Sequence, residues 1–534
     1  MTLPSHQIRW LALLIVAVVC VWHNWTTQPW TLDDAYISFR YAENLVAGNG
    51  LVFNPGEVVE GYTNFLWVML VAGLNAVGVG SVVGAKVLGG IAFAVLVGLL
   101  AWVHRIVPGV APHTGAVAAL LTGTCGIASR WALSGMEVPL VMLLVGAALL
   151  VHLRSRALPD ARGLDLLTGL LAALAMMTRL DTALVFAAMW LDRARLARPA
   201  GSGSWKPLVR MALPLAVVYL PYFAWRYDYY GWLLPNTFYV KVGSTSDQVL
   251  RGFEYAWDFL EVGWGFAVGA VLAGVLYRRL PRIPGMGAVV GYLLLHVAYV
   301  IYVGGDVFWG HRFFAVTLAP TAVLTGMVVT RAVPVPALKV AAVVGLLAIN
   351  LVNLALNKSL WHRGVVSEWG LEVGEYLGEH APEGAVLATN IAGSIPWASG
   401  LTTIDTLGLN DVTIAHTEMP RMGRGRAGHE KGNGDYVLSR EPDYVIFASS
   451  RGSRRPKFVG DRELYRNDAF HDAYSLRVYE LPSGLRLWLY VRRQSHGGKD
   501  LAVSPLVVGV NPFARGRVQL PGGEYEPDES EGQE

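Results

Sequence analysis

The sequence predicts a mainly α-helical, polytopic membrane protein: a bundle of about eleven spans carrying a C-terminal α/β domain outside the bilayer. Three observations lead there. Hydrophobic residues make up 53% of the 534 and charged residues only 16%, with a mean hydropathy of +0.40, a balance that suits lipid better than a soluble domain. Apolar stretches approaching the roughly 20 residues needed to cross a bilayer recur as far as Leu356. Beyond Leu356 the apolar runs shorten to strand length and charges become frequent.

The N-terminal MTLPSHQIRW and the apolar LALLIVAVVCVW resemble a signal peptide without a small-residue cleavage site, so a retained first helix is expected. The expected spans are Ile8–Trp25, Val82–His104, Thr114–Ala128, Met136–His152, Leu164–Thr178, Thr182–Leu191, Met211–Trp225, Trp264–Tyr277, Gly285–Val303, Phe313–Thr330 and Leu338–Leu356. Orientation follows from the Lys- and Arg-rich connections at 153–162, 192–210, 278–282 and 331–339, which belong in the cytoplasm. Alternation then places the N-terminus inside and the C-terminus outside, provided that Tyr62–Val79 lies along the outer surface as a juxtamembrane or re-entrant helix. The alternative has Tyr62–Val79 spanning and a weaker segment, such as Thr182–Leu191, not crossing.

This divides the chain into a membrane domain (1–356), whose first outer loop covers 26–81, an outer α/β domain (357–515) and an acidic, Gly- and Pro-rich tail (516–534) expected to be disordered. In the outer domain GAVLATN, YVIFAS, LRVYEL and LRLWLYV read as strands, and WGLEVGEYLGEH before Pro382 reads as an amphipathic helix. A net charge of +3 with no basic, aromatic-interleaved stripe argues against nucleic acid as a partner. Cys20 and Cys125 both lie in apolar runs, so neither a disulfide framework nor a zinc site is expected.

The sharpest chemical signal is the first outer loop, TLDDAYISFRYAENLVAGNGLVFNPGEVVEGYTNFLW. Adjacent carboxylates at Asp33 and Asp34, just beyond the first span, tend to split in pKa and leave one ionised as a base. A cap or a solvated interface position explains either Asp alone, but a long loop rich in aromatics and turn signals is more than a connector. Arg130, Arg179, Lys241, His311 and Arg312 all fall at the outer boundary, where a phosphate leaving group would need cations. Arg130 and Arg179 equally suit interfacial snorkelling, and Arg312 suits a pair with Asp306. Glu137 and Asp181 add carboxylates that complete the cluster or neutralise Arg130 or Arg179. In the outer domain IDTLGLND and GHEKGNG gather Asp405, Asp411, His429, Glu430 and Lys431, either as a glycan contact or as ordinary surface.

The run DDAYISFRYAENLVAGNGLVFNPGEVVEGYTNFLW resembles the first extracytoplasmic loop of the GT-C glycosyltransferase superfamily, in particular its AftB-like arabinofuranosyltransferase branch. LPNTFYVK, GGDVFWGHRFF, GLND and GHEKGNGDYVLSREPDYVIF support it more weakly. The resemblance implies a GT-C bundle in a bacterial cytoplasmic membrane, a base at Asp33 or Asp34, and a juxtamembrane helix pair after it. It further implies transfer of a sugar, such as arabinofuranose, from a polyprenyl-phosphate donor to a cell-envelope glycan. Arg312, His311, Lys241, Arg179 and Arg130 are then the expected donor-phosphate ligands. Glu60 and Asn64, in a run that departs from that branch, are expected to serve the acceptor side with Glu137, Asp181 and Asp306. No cofactor is required, although carboxylate oxygens suit magnesium or manganese. A single displacement would invert the anomeric centre. A lipid-linked sugar flippase and a non-catalytic scaffold are the rival readings.

Overall fold

The computed structural model describes residues 4–508 apart from 27–29, 159–160, 197–204, 277–279, 281, 309, 362–363 and 421. The acidic tail at 516–534, and Arg198, Arg278 and Arg279 of the basic connections, lie outside the described residues.

Each of the eleven stretches read as spans is helical over most of its described residues; Trp102 interrupts Val82–His104, and one stretch has a clear break. Among the described residues six helices are individually long and apolar enough to cross a membrane, and a bent pair would make seven. Val138–Ala157 and Arg312–Ala332 are the central ones, with 72% and 89% of their apolar windows buried by neighbours, against 17% for Ser5–Thr26 and Pro336–Leu356. The peripheral helices turn Leu14, Val18, Val21, Leu338, Val344 and Val352 outward, which a chain in water would avoid and a chain in lipid requires. This is a multi-pass membrane protein.

The break falls in the Thr114–Ala128 stretch, between helices Thr114–Gly123 and Gly126–Ala132. Asn350 on the neighbouring helix donates to the Leu121 carbonyl at 3.0 Å, and the Thr124 hydroxyl donates to the Leu120 carbonyl at 2.7 Å. Side chains thus satisfy backbone groups that lipid cannot. The disputed Tyr62–Val79 segment holds helix Phe65–Ala76, of 12 residues. At 1.5 Å per residue it covers roughly 18 Å, well short of a hydrocarbon core of about 30 Å. It packs on the bundle through Trp67, Val68 and Val71, with the Trp67 indole donating to the Gly135 carbonyl at 3.1 Å.

One element escapes the sequence reading. Ser246–Val262 is an amphipathic helix capped by Thr245, whose hydroxyl accepts from the Gln248 N–H at 3.2 Å. It exposes Leu250, Phe253, Trp257 and Leu260 along one stripe and turns by 99° at Gly263 into the next apolar helix. A helix so patterned lies in the interface plane.

Beyond the membrane helices a mixed six-stranded sheet forms in the order β2-β1-β3-β5-β4-β6, from β1 (Val386–Thr389), β2 (Thr402–Asp405), β3 (Tyr444–Ile446), β4 (Tyr474–Glu480), β5 (Arg486–Arg492) and β6 (Val507–Val508). β1 pairs in parallel with β2 and β3, while β5 and β4 continue the sheet antiparallel. Val373, Leu377 and Ile395 fill one face, and Val437, Phe470 and Trp488 the other.

This domain is clamped onto the first outer loop. Asn54 mimics a strand partner: its Oδ1 accepts from the Thr403 N–H at 3.1 Å and its Nδ2 donates to the Thr403 carbonyl at 2.8 Å. The buried Arg40 donates to the carbonyls of Phe53, Pro396 and Leu401. A Cβ at Gly61 would collide with the Asn410 side chain, so only glycine allows this approach.

Candidate active site

Asp33 and Asp34 open the helix Asp33–Val46, where carboxylates are favoured by the helix dipole. Successive residues of a helix point about 100° apart, so the two carboxylates look in different directions. Asp33 faces the outer domain. Its Oδ1 accepts from the Ser394 N–H at 2.9 Å and the Ser394 hydroxyl at 2.5 Å, and its Oδ2 from the Gly393 N–H at 3.2 Å. A Cβ at Gly393 would run into the Asp33 carbonyl oxygen. Burial pushes the Asp33 carboxyl up to about 6, against the pull of those hydrogen bonds.

Asp34 faces two connected clefts and remains 23% exposed, with Arg312 Nη1 at 4.0 Å. Burial raises its pKa, while Lys241 and Arg312 pull it back. The inner cleft, of about 350 Å³, is mostly apolar and is lined by Asp34, Glu137, Arg179, Lys241, Arg312 and Tyr299 among others. The outer cleft, of about 160 Å³, lies against the outer domain and shares Asp34 and Lys241 with the inner one.

Lys241 reaches this boundary because LPNTFYVK folds into helix Asn236–Lys241. The Asn236 amide donates to the carbonyls of Gly408, Leu409 and Asp411, and its backbone N–H to that of Glu60. The GLND turn that receives it is shaped by Asp405, whose carboxylate accepts from the N–H groups of Leu407 and Asn410 at 3.0 and 2.9 Å. Among the described residues the Lys241 ammonium forms no ion pair; burial and then Arg312 lower its pKa against the fields of Asp34 and Asp306. Arg312 is anchored behind by Asp306, Nε to Oδ2 at 2.5 Å. Burial alone would raise the Asp306 pKa, but Arg312 and Lys241 together hold it below the usual range.

The other expected residues divide. Asn64, Glu137, Arg179 and Asp181 form a chain on the inner cleft. Asn64 donates to Glu137 Oε2 at 3.0 Å, Arg179 to Glu137 Oε1 at 3.3 Å, and Arg179 grips both oxygens of Asp181 at 3.0 and 3.2 Å. Asn64 therefore sits on the wall of the inner cleft. Three of the expected residues stand apart from that cleft. Glu60 lies off both clefts in a buried bidentate pair with Arg226, at 2.8 and 2.5 Å, because Arg226 bridges it to the carbonyls of Trp232 and Leu233. His311 packs behind the site against Tyr255, with ring centroids 4.8 Å apart, and burial pushes its pKa down to about 4, which leaves a neutral ring. Arg130 lines the outer cleft instead of the inner one, stacked over Trp30 at 4.1 Å and donating to the Leu360 carbonyl at 3.1 Å.

Of the outer-domain constellation His429 lines the outer cleft, while Asp405, Asp411, Glu430 and Lys431 line neither of these two clefts. Glu430 ties Gly423, Gly425 and Arg251 together, and Lys431 binds the Thr417 carbonyl. The sequence reading missed Gly393, Ser394, Asn390, Arg426 and Lys457, whose only signal was proximity to glycine-rich turns. Among the described residues no group of three or more His, Cys, Asp or Glu side chains is placed to hold a metal ion.

Comparison with known proteins agrees with this architecture. Residues 359–499 match a family described as a domain of unknown function (DUF8728). The chain is 31% identical over 372 residues to the terminal beta-(1->2)-arabinofuranosyltransferase of Corynebacterium glutamicum, covering 60% of this chain and 52% of that one. It is 28% identical over 360 residues to the protein of the same name from Mycobacterium tuberculosis, covering 59% and 55%. The chain thus spans about half the length of these curated relatives. The crystal structure of ArnT from Cupriavidus metallidurans bound to undecaprenyl phosphate superposes with a TM-score of 0.60 at 13% identity, over 92% of this chain and 99% of that one. The chain has the GT-C fold, and over 60% of its length it is similar in sequence to terminal arabinofuranosyltransferases.

Proposed function

We propose that this protein is a membrane glycosyltransferase that moves a sugar from a polyprenyl-phosphate donor to a hydroxyl of a cell-envelope glycan on the outer face of a bacterial cytoplasmic membrane. The observation that carries the reading is the position of Asp34: a carboxylate on the wall shared by two clefts, 4.0 Å from Arg312 of the inner cleft, with Lys241 lining both. The names of the relatives favour a pentofuranose such as arabinofuranose as the sugar. In this reading residues 1–356 are the catalytic membrane domain and 357–515 an extracytoplasmic domain that completes the site, with the N-terminus cytoplasmic.

The donor enters the inner cleft from the lipid side, its phosphate beside Arg312 and Lys241 and its anomeric carbon beside Asp34. The acceptor hydroxyl gives its proton to the Asp34 carboxylate, and its oxygen forms the bond to the anomeric carbon. The bond to the phosphate oxygen breaks, and its electron pair leaves on polyprenyl phosphate. Arg312 offers a planar pair of donors for the growing charge and Lys241 a point charge. The anomeric centre inverts, and the step as written calls on no cofactor. Glu137, held by Asn64 and Arg179, is placed to accept a hydroxyl of the donor sugar.

The test is transfer by purified full-length protein from a panel of polyprenyl-phosphate sugars to cell-envelope glycan, comparing wild type with Asp34→Asn. A general base contributes about 10²–10⁴-fold, and a loss of that size with retained folding and an inverted product is expected. A fully active Asp34→Asn variant, or a product with retained configuration, overturns the mechanism. Movement of lipid-linked sugar across vesicles without transfer would favour a flippase.

A further inference from the structure

We propose that the outer cleft seats the acceptor and that Arg426 and Lys457 there select one carrying an anionic group, a carboxylate or a phosphate, near the attacking hydroxyl; this rests on the reading of Asp34 as the base.

The cleft lies between the first outer loop and the outer domain, with Asp34 at its floor. Its charge is unbalanced. Among the described residues Arg130, Lys241, Arg426 and Lys457 line it, against the carboxylates of Asp33 and Asp34, and Asp33 is already occupied by Gly393 and Ser394. Lys241 is shared with the inner cleft, and Arg130 is committed to Trp30 and the Leu360 carbonyl. Arg426 is exposed, and among the described residues its guanidinium has no hydrogen-bond or ion-pair partner; the carboxylate whose field it feels, Asp306, is bound by Arg312. An arginine so placed matches a carboxylate or phosphate with two parallel hydrogen bonds.

Uncharged groups of the same wall suit a sugar. Asn390 is 4% exposed, donates weakly to Asp461 at 3.4 Å and has no partner for its Oδ1. A buried acceptor left open in this way asks for a donor, which a sugar hydroxyl supplies. His429 donates from Nδ1 to the Ala427 carbonyl at 3.0 Å, so its Nε2 is an acceptor. Trp30, Phe308 and Phe458 give aromatic faces to the cleft. Arg426 and Lys457 are absent from the wall of the inner cleft, where Arg312 stands, which assigns them to the acceptor rather than to the leaving phosphate.

The experiment is equilibrium dialysis of the full-length protein in lipid nanodiscs with two matched pairs of radiolabelled probes: trigalacturonic acid with its methyl ester, and glucose 6-phosphate with glucose. The anionic member of at least one pair should bind ten-fold or more tighter than its neutral twin, and the pair that responds tells carboxylate from phosphate. The double variant Arg426→Ala with Lys457→Ala should lose that preference, Arg426→Lys should keep part of it, and both should bind decaprenyl phosphate as wild type does. Equal binding within both pairs overturns the proposal, as does a loss of decaprenyl phosphate affinity in the double variant. Because binding is read without turnover, an active Asp34→Asn variant would remove the base and leave this result standing.

Discussion

Replacing Asp33 with Ala should loosen the outer domain at one defined point. The Gly393 and Ser394 N–H groups both donate to this carboxylate, and the substitution leaves both without their acceptor. A hydrogen bond to a charged group is worth about 1.5–3 kcal/mol net. Gly393 and Ser394 are buried, so water does not readily replace the carboxylate and the lower end of that range is a floor. About 1.5 kcal/mol per amide corresponds to roughly a tenfold faster opening. The assay is hydrogen exchange, followed by mass spectrometry on a peptide containing residues 393 and 394 from the full-length protein in nanodiscs. Asp33→Ala should accelerate exchange of these two amides by about tenfold or more, Ser394→Ala should leave the amide bonds in place and do less, and Asp34→Asn should do nothing there. Unchanged protection in Asp33→Ala, or lost protection in Asp34→Asn, would refute the division of labour between the two carboxylates.

Other expectations follow from the same geometry. Lys241→Ala and Arg312→Ala should each weaken binding of decaprenyl phosphate and lower kcat, by about tenfold or more if a charge-assisted contact of about 1.5–3 kcal/mol is lost; tight binding in both variants would move the phosphate elsewhere. In a pH profile the acid limb of kcat/KM should lie above the ordinary carboxylate range, because burial raises the Asp34 pKa and the base works only when ionised; full activity down to pH 4 would contradict it. Glu60→Gln leaves Arg226 buried without its counter-ion, which costs about 3–5 kcal/mol. It should cut the yield of folded protein, measured by size-exclusion chromatography, without altering the KM of what remains, and an altered KM with full yield would return Glu60 to the substrate.

The membrane segments were legible because each is a long apolar run whose signal is local. The arithmetic of basic loops keeps Tyr62–Val79 from crossing, and the helix found there, Phe65–Ala76, is 12 residues long. Ser246–Val262 was missed because its polar face dilutes its hydropathy and only its three-dimensional placement separates an exposed stripe from a core. Asp33 and Asp34 were legible as a pair and not as individuals. What tells them apart is Ser394, some 360 positions away in sequence, and no pattern around DDAY encodes that contact. The place of Glu60 was not legible for the converse reason: it stands three residues past a turn signal in the first outer loop, but its partner Arg226 lies at the end of a distant span. Nor was that of His311, since the motif GGDVFWGHRFF places three ionisable residues together while the fold sends Arg312 to the inner cleft and leaves His311 among aromatic rings.

The pairing of adjacent carboxylates also explains why the catalytic reading needs the outer domain. One peptide bond joins the residue that holds that domain to the residue that lines both clefts, and a helix start fixes the angle between them. The stretch 393–394 that caps Asp33 lies a few residues beyond Asn390, which lines the outer cleft with Asp34. A shift of the outer domain therefore moves the wall of the outer cleft and Asp34 together, with Asn236 carrying Lys241 along because it hydrogen-bonds to the Gly408–Asp411 turn of the same domain. Misplacement of reacting groups by about 1 Å can cost 10²-fold in rate. An acceptor seated against this domain would thus report its presence to the phosphate side through two rigid links, Asp33 and Asn236. Asn236→Ala, at a residue that itself lines neither cleft, should accordingly lower kcat more than it raises the KM for donor; a change in donor KM alone would show that Lys241 is placed independently of the outer domain.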